Sequence, residues 1–295
     1  MRTRSSLVLA CSLALVLQSA QAAETDWSKV ADALGRPGVV MAGGVYRVGL
    51  PRTDLHVILD GIAIKPTLAL GSWLAFQSQG GVAMVMGDLV LTEDEVGPVM
   101  KQLEETGIEI TALHNHLLRA QPATLYMHVL GHGDPAKLAA ALHDGLALSG
   151  TPLRTATPPA TPQPLDLDTA MIDRTLGAHG KAVGGVYQVG VPRAETIHDN
   201  GMEVPIAMGS AEAINFQPTG GGRAAVTGDF VLTAKEVNPV LRALRENGIE
   251  VMAVHNHMLD DEPRLFFMHF WANDDVQKLA HGLRAALDQV NVARS

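Results

Sequence analysis

The chain contains two copies of one sequence unit, and this duplication constrains its fold more than any other feature. Gly87-Asp88 recurs as Gly228-Asp229, and Gly107-Ile108-Glu109 recurs as Gly248-Ile249-Glu250, so both runs return after 141 residues (228 minus 87). Further identities follow the same offset on either side. Two copies are too few to form a solenoid. The sequence therefore predicts two similar domains that pack about a pseudo-twofold axis.

The chain has 295 residues, which is enough for two domains with a core in each. A stretch rich in proline and threonine separates the copies, and this composition is typical of an extended, semi-rigid linker. We therefore expect a signal peptide at 1–22, a first repeat domain at 23–150, a linker at 151–168 and a second repeat domain at 169–295.

The first segment has the three parts of a secretory signal peptide. Arg2 and Arg4 supply a positive start, residues 7–17 are almost all apolar, and Ala20-Gln21-Ala22 offers a cleavage site between small residues. We expect cleavage after Ala22 and export to the periplasm or the medium. Lipid anchoring through Cys11 is the less favoured alternative, because the apolar run that precedes this cysteine is short.

The acidic balance of the chain argues against nucleic acid as a partner. The formal net charge is −9, and it becomes −11 when Arg2 and Arg4 are removed (−9 minus 2). A chain without clustered Lys and Arg binds a phosphate backbone poorly. The tripeptide His-Asn-His does not indicate a nuclease, because the three residues of the nuclease motif of that name are separated by tens of residues in the sequence of a nuclease. No later stretch is apolar for long enough to span a bilayer. A small-molecule ligand is the partner that the sequence leaves open, and no oligomeric state is indicated.

Each copy shows the pattern of a β-α-β-β-α unit, preceded by about three short strands. Alternating apolar residues predict strands, and apolar residues at helical spacing predict the two helices. A proline, Pro98 or Pro239, falls inside the first predicted helix, so we expect that helix to be kinked or to start later. The predicted class is α+β, with two pseudo-twofold-related domains and mixed sheets. In the first copy the elements are expected at 82–91, 93–105, 108–116, 124–130 and 134–148.

Three histidines recur in each copy at one spacing, and they are the candidate metal ligands. Two of them flank an asparagine, and the third follows 12 residues after the second. Alternate residues of a strand share a face, and a hairpin about Pro122 would bring His128 opposite His116. Three imidazoles with an open fourth position are the usual donor set of a functional zinc site. We therefore predict one divalent metal site per copy, with zinc as the ion, from His114, His116 and His128 and from His255, His257 and His269.

The alternative is that these histidines are packed in the core and bonded to backbone carbonyls. Three at one spacing, in both copies, favour a metal site. Asn115 and Asn256 alternate to the opposite face and are expected to be structural. The copies differ at the turn, where only the second has carboxylates, in residues 260–262. We therefore expect the second copy to be the more active site.

Two other pairs of residues that are identical in the two copies are candidate substrate-binding residues. Asp88 and Asp229 each end a predicted strand, where α/β proteins often place functional groups, although a turn role is equally open. Arg52 and Arg193 each follow a proline. They could bind either an anionic substrate or an internal carboxylate.

Glu95 and Glu236 are candidate general bases by residue type. Each stands three residues after a threonine, in the pattern of a capping box. In that arrangement the glutamate accepts a hydrogen bond from the backbone of the threonine, and we favour this role over catalysis.

The motif of the repeat resembles one known family. Gly-Asp-x-Val-Leu-Thr-x-x-Glu-Val-x-Pro-Val, followed by Gly-Ile-Glu and His-Asn-His, occupies residues 87–116 and again 228–257. This string resembles the LppY/LpqO family of exported bacterial proteins and implies a protein of the cell envelope. The spacing of the histidines is also similar to that in acetolactate decarboxylase and in the plant and prokaryote conserved domain, which implies zinc as the ion.

Three functions remain open from these residues. The first is an exported metalloprotein that acts as a hydrolase or lyase on a small substrate, with the metal activating water or polarising a carbonyl. The second is a non-catalytic protein that binds a metal or a small ligand. The third is a structural module whose histidines are only packed. The catalytic residues are unknown, because the chain has no nucleophile elbow, no HExxH helix and no glycine-rich phosphate loop.

Overall fold

The computed structural model describes residues 25–79, 81–154 and 164–293. The predicted signal peptide, Cys11 and the middle of the predicted linker lie outside these residues. In the first repeat the elements are α1 (Trp27–Leu34), β1 (Val39–Val40), β2 (Tyr46–Pro51), β3 (Ile58–Leu59), β4 (Ile62–Ala63), α2 (Pro66–Ala69), β5 (Gly71–Gln79), β6 (Val82–Thr92), α3 (Glu93–Glu105), β7 (Glu109–His114), β8 (Thr124–Gly133) and α4 (Pro135–Leu146).

The second repeat has the same order of principal elements. They are α5 (Thr169–Leu176), β9 (Lys181–Val183), β10 (Val186–Pro192), β11 (His198–Asp199), β12 (Met202–Glu203), β13 (Ala211–Gly220), β14 (Arg223–Thr233), α6 (Ala234–Glu246), β15 (Glu250–His255), β16 (Asp261–Glu262), β17 (Leu265–Asp275) and α7 (Val276–Leu287). The α+β class and the duplicated β-α-β-β-α unit are confirmed.

Each repeat builds one six-stranded sheet, in the order β1-β2-β5-β6-β8-β7 in the first and β9-β10-β13-β14-β17-β15 in the second. Every strand pair in the described residues is antiparallel, so the expectation of mixed sheets is corrected. The reason lies in the strand order. The helix α3 returns the chain so that β7 runs parallel to β6, but β8 inserts between them and pairs antiparallel with both.

The helix α3 begins at Glu93, directly after β6, and continues through Pro98. The helix has the expected bounds, 93–105, and the alternative of a later start is wrong. The carboxylate of Glu95 accepts a hydrogen bond from the backbone N–H of Thr92 at 2.8 Å, and this cap fixes the first turn. Gly107, with φ 81°, follows the end of the helix in the left-handed region that glycine tolerates.

The two repeats stack as four layers, with the helices outside and the two sheets face to face. Successive residues of β6 show this arrangement. Val85 packs with α3 and α4 in the core of the first repeat. Its neighbours Met84 and Met86 pack between the sheets, against Val231 and Phe267 of the second repeat. Because both faces of the sheet are covered, β6 is buried along nearly its whole length.

Short segments of each repeat reach across and fix the relative position of the sheets. The helix α2 contacts β13 and β14, and the 3-10 helix Ile206–Met208 contacts β5. The backbone N–H of Lys65 donates to the side-chain oxygen of Gln217 at 2.9 Å, and the amide of Gln217 donates to the carbonyl of Ala63 at 2.8 Å. None of the helices in the described ranges is long and apolar enough to cross a membrane.

Candidate metal centre

The candidate histidines lie at the ends of the central strands and in the loops that follow. His114 ends β7, His128 lies within β8, and His116 lies in the loop between them rather than on the predicted strand. The register also differs from the expected hairpin, because His128 pairs with Ala112 and not with His116. The loop 115–123 is longer than a tight turn and moves the register. Since the shift is an even number of residues (116 minus 112), His128 keeps the predicted face.

The two histidine trios meet between the sheets and form one cluster, whereas the sequence predicts one site per copy. The contacts alternate between repeats. The ring centroids are 3.4 Å apart for His114 and His255, 3.5 Å for His116 and His269, and 3.8 Å for His128 and His257. The pseudo-twofold rotation that relates the repeats maps the second pair onto the third, and it maps His114 onto His255. The axis therefore passes between His114 and His255. We call these six residues the histidine cluster.

All six Nε2 atoms of the histidine cluster are buried and have no hydrogen-bond partner among the described residues. The Nδ1 atoms of His114, His255 and His269, in contrast, are engaged. The Nδ1 of His269 lies 2.8 Å from the carbonyl of Gly228, and that of His255 lies 3.0 Å from the carbonyl of Asn256. A carbonyl only accepts, so Nδ1 carries the proton and Nε2 keeps a free lone pair. A buried polar atom left without a partner costs about 1–3 kcal/mol. Lone pairs buried in this way could hold a metal ion.

Two aspartates complete the cluster. Asp88 pairs across the strands with His128, and Asp229 pairs with His269 in the same way. The closest approach to an imidazole Nε2 is 3.8 Å for Asp88 Oδ2, to His116, and 3.3 Å for Asp229 Oδ2, to His257. Burial raises the pKa of both carboxyl groups, and the neighbouring charge of Asp229 raises the pKa of Asp88 further. A bound cation would reverse this and hold both groups ionised.

The donor atoms fall into groups of the size that a metal ion needs. One group lies wholly in the second repeat, where the predicted trio is joined by a carboxylate, giving the four donors of a tetrahedral site. A second lies in the first repeat, and two more combine both repeats. Within each group all ligand atoms lie within 4.8 Å of one another. The groups are Asp229, His255, His257 and His269; Asp88, His116 and His128; His114, His128 and His255; and His114, His116 and His269.

Burial lowers the pKa of every imidazole in the histidine cluster, and for His269 the value falls to about 3. The neighbouring imidazoles add to this effect, because two charged rings in contact would repel each other. The rings are therefore neutral at physiological pH. Neutral imidazole is the form that binds a metal ion.

The turn carboxylates of the second copy do not join these groups in the described part of the chain. Asp261 accepts a hydrogen bond from the backbone N–H of Leu265 at 2.6 Å and pairs with Arg264 at 2.9 Å. The acidic residues that approach the imidazoles are Asp88 and Asp229, one in each repeat. The expected advantage of the second copy therefore cannot come from its turn.

The arginines bind internal carboxylates, the second of the two roles that the sequence left open. Arg52 is buried and lies 2.7 Å from Glu95 and 2.8 Å from Asp54. Arg193 is placed in the same way, 3.0 Å from Glu236. Each guanidinium is thus neutralised within its own repeat.

The two glutamates have the capping role that the sequence favoured. Glu236 accepts a hydrogen bond from the backbone N–H of Thr233 at 2.7 Å, as Glu95 does from Thr92. Each also binds its arginine, so little of either carboxylate is free to act as a base.

The asparagine of the second motif is structural: Asn256 donates to the carbonyl of Thr111 in the other repeat at 2.9 Å.

A small cavity beside the cluster was not predicted. It holds about 10 Å³, the space of one water molecule, and touches His128 and His257. Its other walls include three methionines and a tryptophan, namely Met86, Met208, Met258 and Trp73. Spacing alone gives no sign of this cavity, because its walls come from both repeats.

The family model described as Domain of Unknown Function (DUF1259) matches residues 28–148 and again residues 170–289. The chain belongs to this family. It contains the family's domain twice, and the two matched ranges contain the two histidine trios.

No curated protein matches the sequence. Among solved structures, the trimeric bacterial microcompartment shell protein PduB is similar at 12% identity, over 88% of this chain and 97% of that one, with a TM-score of 0.21. EtuB from Clostridium kluyveri is similar at 9% identity, over 85% of this chain and 90% of that one, with a TM-score of 0.20. These scores are too low for either likeness to inform the fold or the function.

Proposed function

We propose that this chain is an exported metal-binding protein whose histidine cluster holds two transition-metal ions between its repeats. The observation that carries the proposal is the set of six buried Nε2 atoms without a partner, beside two buried carboxylates. Packed histidines would leave these lone pairs unsatisfied, at a cost that folding would have to offset six times. Metal ions satisfy all of them at once.

The donor set favours zinc among the ions that bind imidazole. Nitrogen donors with one carboxylate suit zinc, whereas magnesium and calcium take oxygen ligands. Asp229 with the three histidines of the second repeat forms one site. Asp88, His116 and His128 form the other, with His114 beside them. The proposal therefore predicts two zinc ions per chain.

Metal analysis of the purified chain tests this proposal. Zinc content should approach two ions per chain, and His255→Ala with His257→Ala should remove about one of them. The same change at His114 and His116 should also reduce the content. The matched control is His132→Ala with His143→Ala, because both histidines lie outside the metal-sized groups. If both cluster variants keep the zinc content of the control, the histidines are packing residues and the proposal is wrong.

Export is the second part of the proposal, and it rests on the residues of the first segment and on the resemblance to the LppY/LpqO family. Amino-terminal sequencing of secreted material should begin at Ala23 or within a residue or two of it. A diacylated Cys11 at the amino terminus would overturn this part and leave the metal centre unaffected.

Metal-dependent hydrolysis or lyase chemistry is a second candidate, and the cavity beside His128 and His257 favours it. This cavity can hold a water molecule next to the donors, as a catalytic metal requires. Replacement of zinc by cobalt(II), followed by titration with azide, tests for an exchangeable position. A change in the visible spectrum would support catalysis, and an unchanged spectrum would leave the non-catalytic binding protein.

A further inference from the structure

The cavity beside the histidine cluster has walls of unusual composition. Met86, Met208 and Met258 line it, and all three are buried. His128 and His257, whose Nε2 atoms have no partner among the described residues, line the same cavity. With about 10 Å³, the cavity has space for one bare ion or one water molecule.

The pseudo-twofold axis supplies an internal comparison for this cavity. At the corresponding place on the other side of the cluster, the same sheets and the same pair of histidine types meet. The three positions equivalent to the methionines carry no sulfur. The residues that replace Met86, Met208 and Met258 are Thr227, Leu68 and Leu117.

Packing alone therefore does not require methionine at these positions. Leu68 and Leu117 occupy two of the equivalent positions in the opposite half and are buried there. A thioether adds one property that leucine lacks, a soft sulfur donor. Thioether ligands select soft ions such as monovalent copper, and imidazole binds copper as well.

We propose that the cavity is a binding site for monovalent copper, with its donors drawn from the thioether sulfurs of Met86, Met208 and Met258 and the imidazoles of His128 and His257. This site rests on the proposed metal centre, since it shares two of that centre's histidines. Each Nε2 has one lone pair, so copper bound here competes with zinc for His128 and His257 and does not bind beside it. Copper bound here would take donors from both repeats. The walls leave no space for a hydrated ion, so the ion must bind after losing its water.

Competition against the copper(I) chelator bicinchoninate, without oxygen, tests the proposal on the full chain. The variant Met208→Leu with Met258→Leu copies the residues of the opposite half, and Met86→Leu can be added to it. We expect copper(I) affinity to fall by about ten-fold or more, the scale on which ligand-sphere changes act, and zinc affinity to stay unchanged. The matched control is Met252→Leu, which lies between the sheets on the opposite side. It should change neither affinity.

A second measurement needs no variant. In the selenomethionine form of the chain loaded with copper(I), X-ray absorption at the selenium edge should show copper as a neighbour of selenium. The inference is overturned if no copper neighbour is seen, or if the leucine variant binds copper(I) as the parent does. Zinc binding distinguishes failure of the copper inference from failure of the proposed function. The proposed function fails only if the histidine variants keep their zinc.

Discussion

The imidazole of His269 shows how strongly its surroundings control this cluster. Burial is the main cause that lowers its pKa to about 3, and the same cause lowers the pKa of the other five rings. In the unfolded chain these histidines titrate near their usual pKa of about 6.5. The folded and unfolded states therefore bind different numbers of protons across the acidic range.

The metal-free protein should lose stability as the pH falls below about 6.5, because the imidazoles become protonated in the unfolded state but stay neutral in the folded state. Each ring contributes a slope of about 1.4 kcal/mol per pH unit between its unfolded and its folded pKa. Asp88 and Asp229 have raised pKa values and act in the opposite sense. Burial also raises the pKa values of Asp199 and Glu212, so four groups act against six. Urea unfolding at about pH 7.5 and pH 5.5 measures the effect, and equal midpoints would contradict it.

A second prediction at this scale concerns the carboxylate of Asp229. Asp229→Asn keeps the shape of the side chain and removes its charge, so zinc affinity should fall by about 10–100-fold. Asp260→Asn is the matched control, because Asp260 is an exposed turn residue outside the metal-sized groups. Equal losses of zinc affinity in the two variants would mean that the turn carboxylates also contribute to the metal site. Competition with a colorimetric zinc chelator gives both affinities.

At the scale of elements, the repeat unit could be predicted because its apolar periods are clear. The strand at β6 and the helix α4 were expected close to their observed bounds. The bounds of α3 were expected as well, and the alternative of a later start failed because the cap at Thr92 and Glu95 outweighs the hydrogen bond that Pro98 cannot make. The register of β7 on β8 was also missed. It depends on the path of the loop 115–123, which no period in the sequence records.

The buried pairing of Arg52 gives a prediction about the stability of one element. Arg52→Ala leaves Glu95 and Asp54 without their cation at the start of α3, so we expect a loss of about 3–5 kcal/mol in the free energy of unfolding. Lys101→Ala removes an exposed pair with Glu105 on the same helix and should cost at most about 0.5 kcal/mol. Urea unfolding compares the two. Similar losses would mean that the buried pair adds nothing beyond a surface contact.

At the scale of the whole molecule, the face of each trio could be predicted but the meeting of the trios could not. The nearly continuous apolar run of β6 indicates that both faces of the strand are covered. It does not say what covers the second face. That answer depends on how the cross-repeat contacts, such as Gln217 with Lys65, orient the two sheets. One cluster of six donors, and the cavity beside it, follow from this orientation.

Removal of the metal should therefore loosen the junction of the repeats before it affects their outer helices. Ions that bind only the folded state at a thousand times their dissociation constant stabilise it by about 4 kcal/mol. Hydrogen exchange with and without a chelator measures the local effect. We expect faster exchange in residues 255–258, where Asn256 bonds to Thr111 of the other repeat. The amides of α3 serve as the control, and uniform exchange would contradict the prediction.

Because the pseudo-twofold axis passes between His114 and His255, the surface that each repeat offers to the other is self-complementary. A chain with a single repeat could complete the same cluster by forming a homodimer. In a homodimer every substitution occurs on both sides of the axis. Joining two copies in one chain removes this restriction, so that one half can keep Leu68 and Leu117 while the other carries Met208 and Met258. Covalent fusion thus allows the two sides of one pseudo-symmetric cluster to differ in the donors that they offer to an ion.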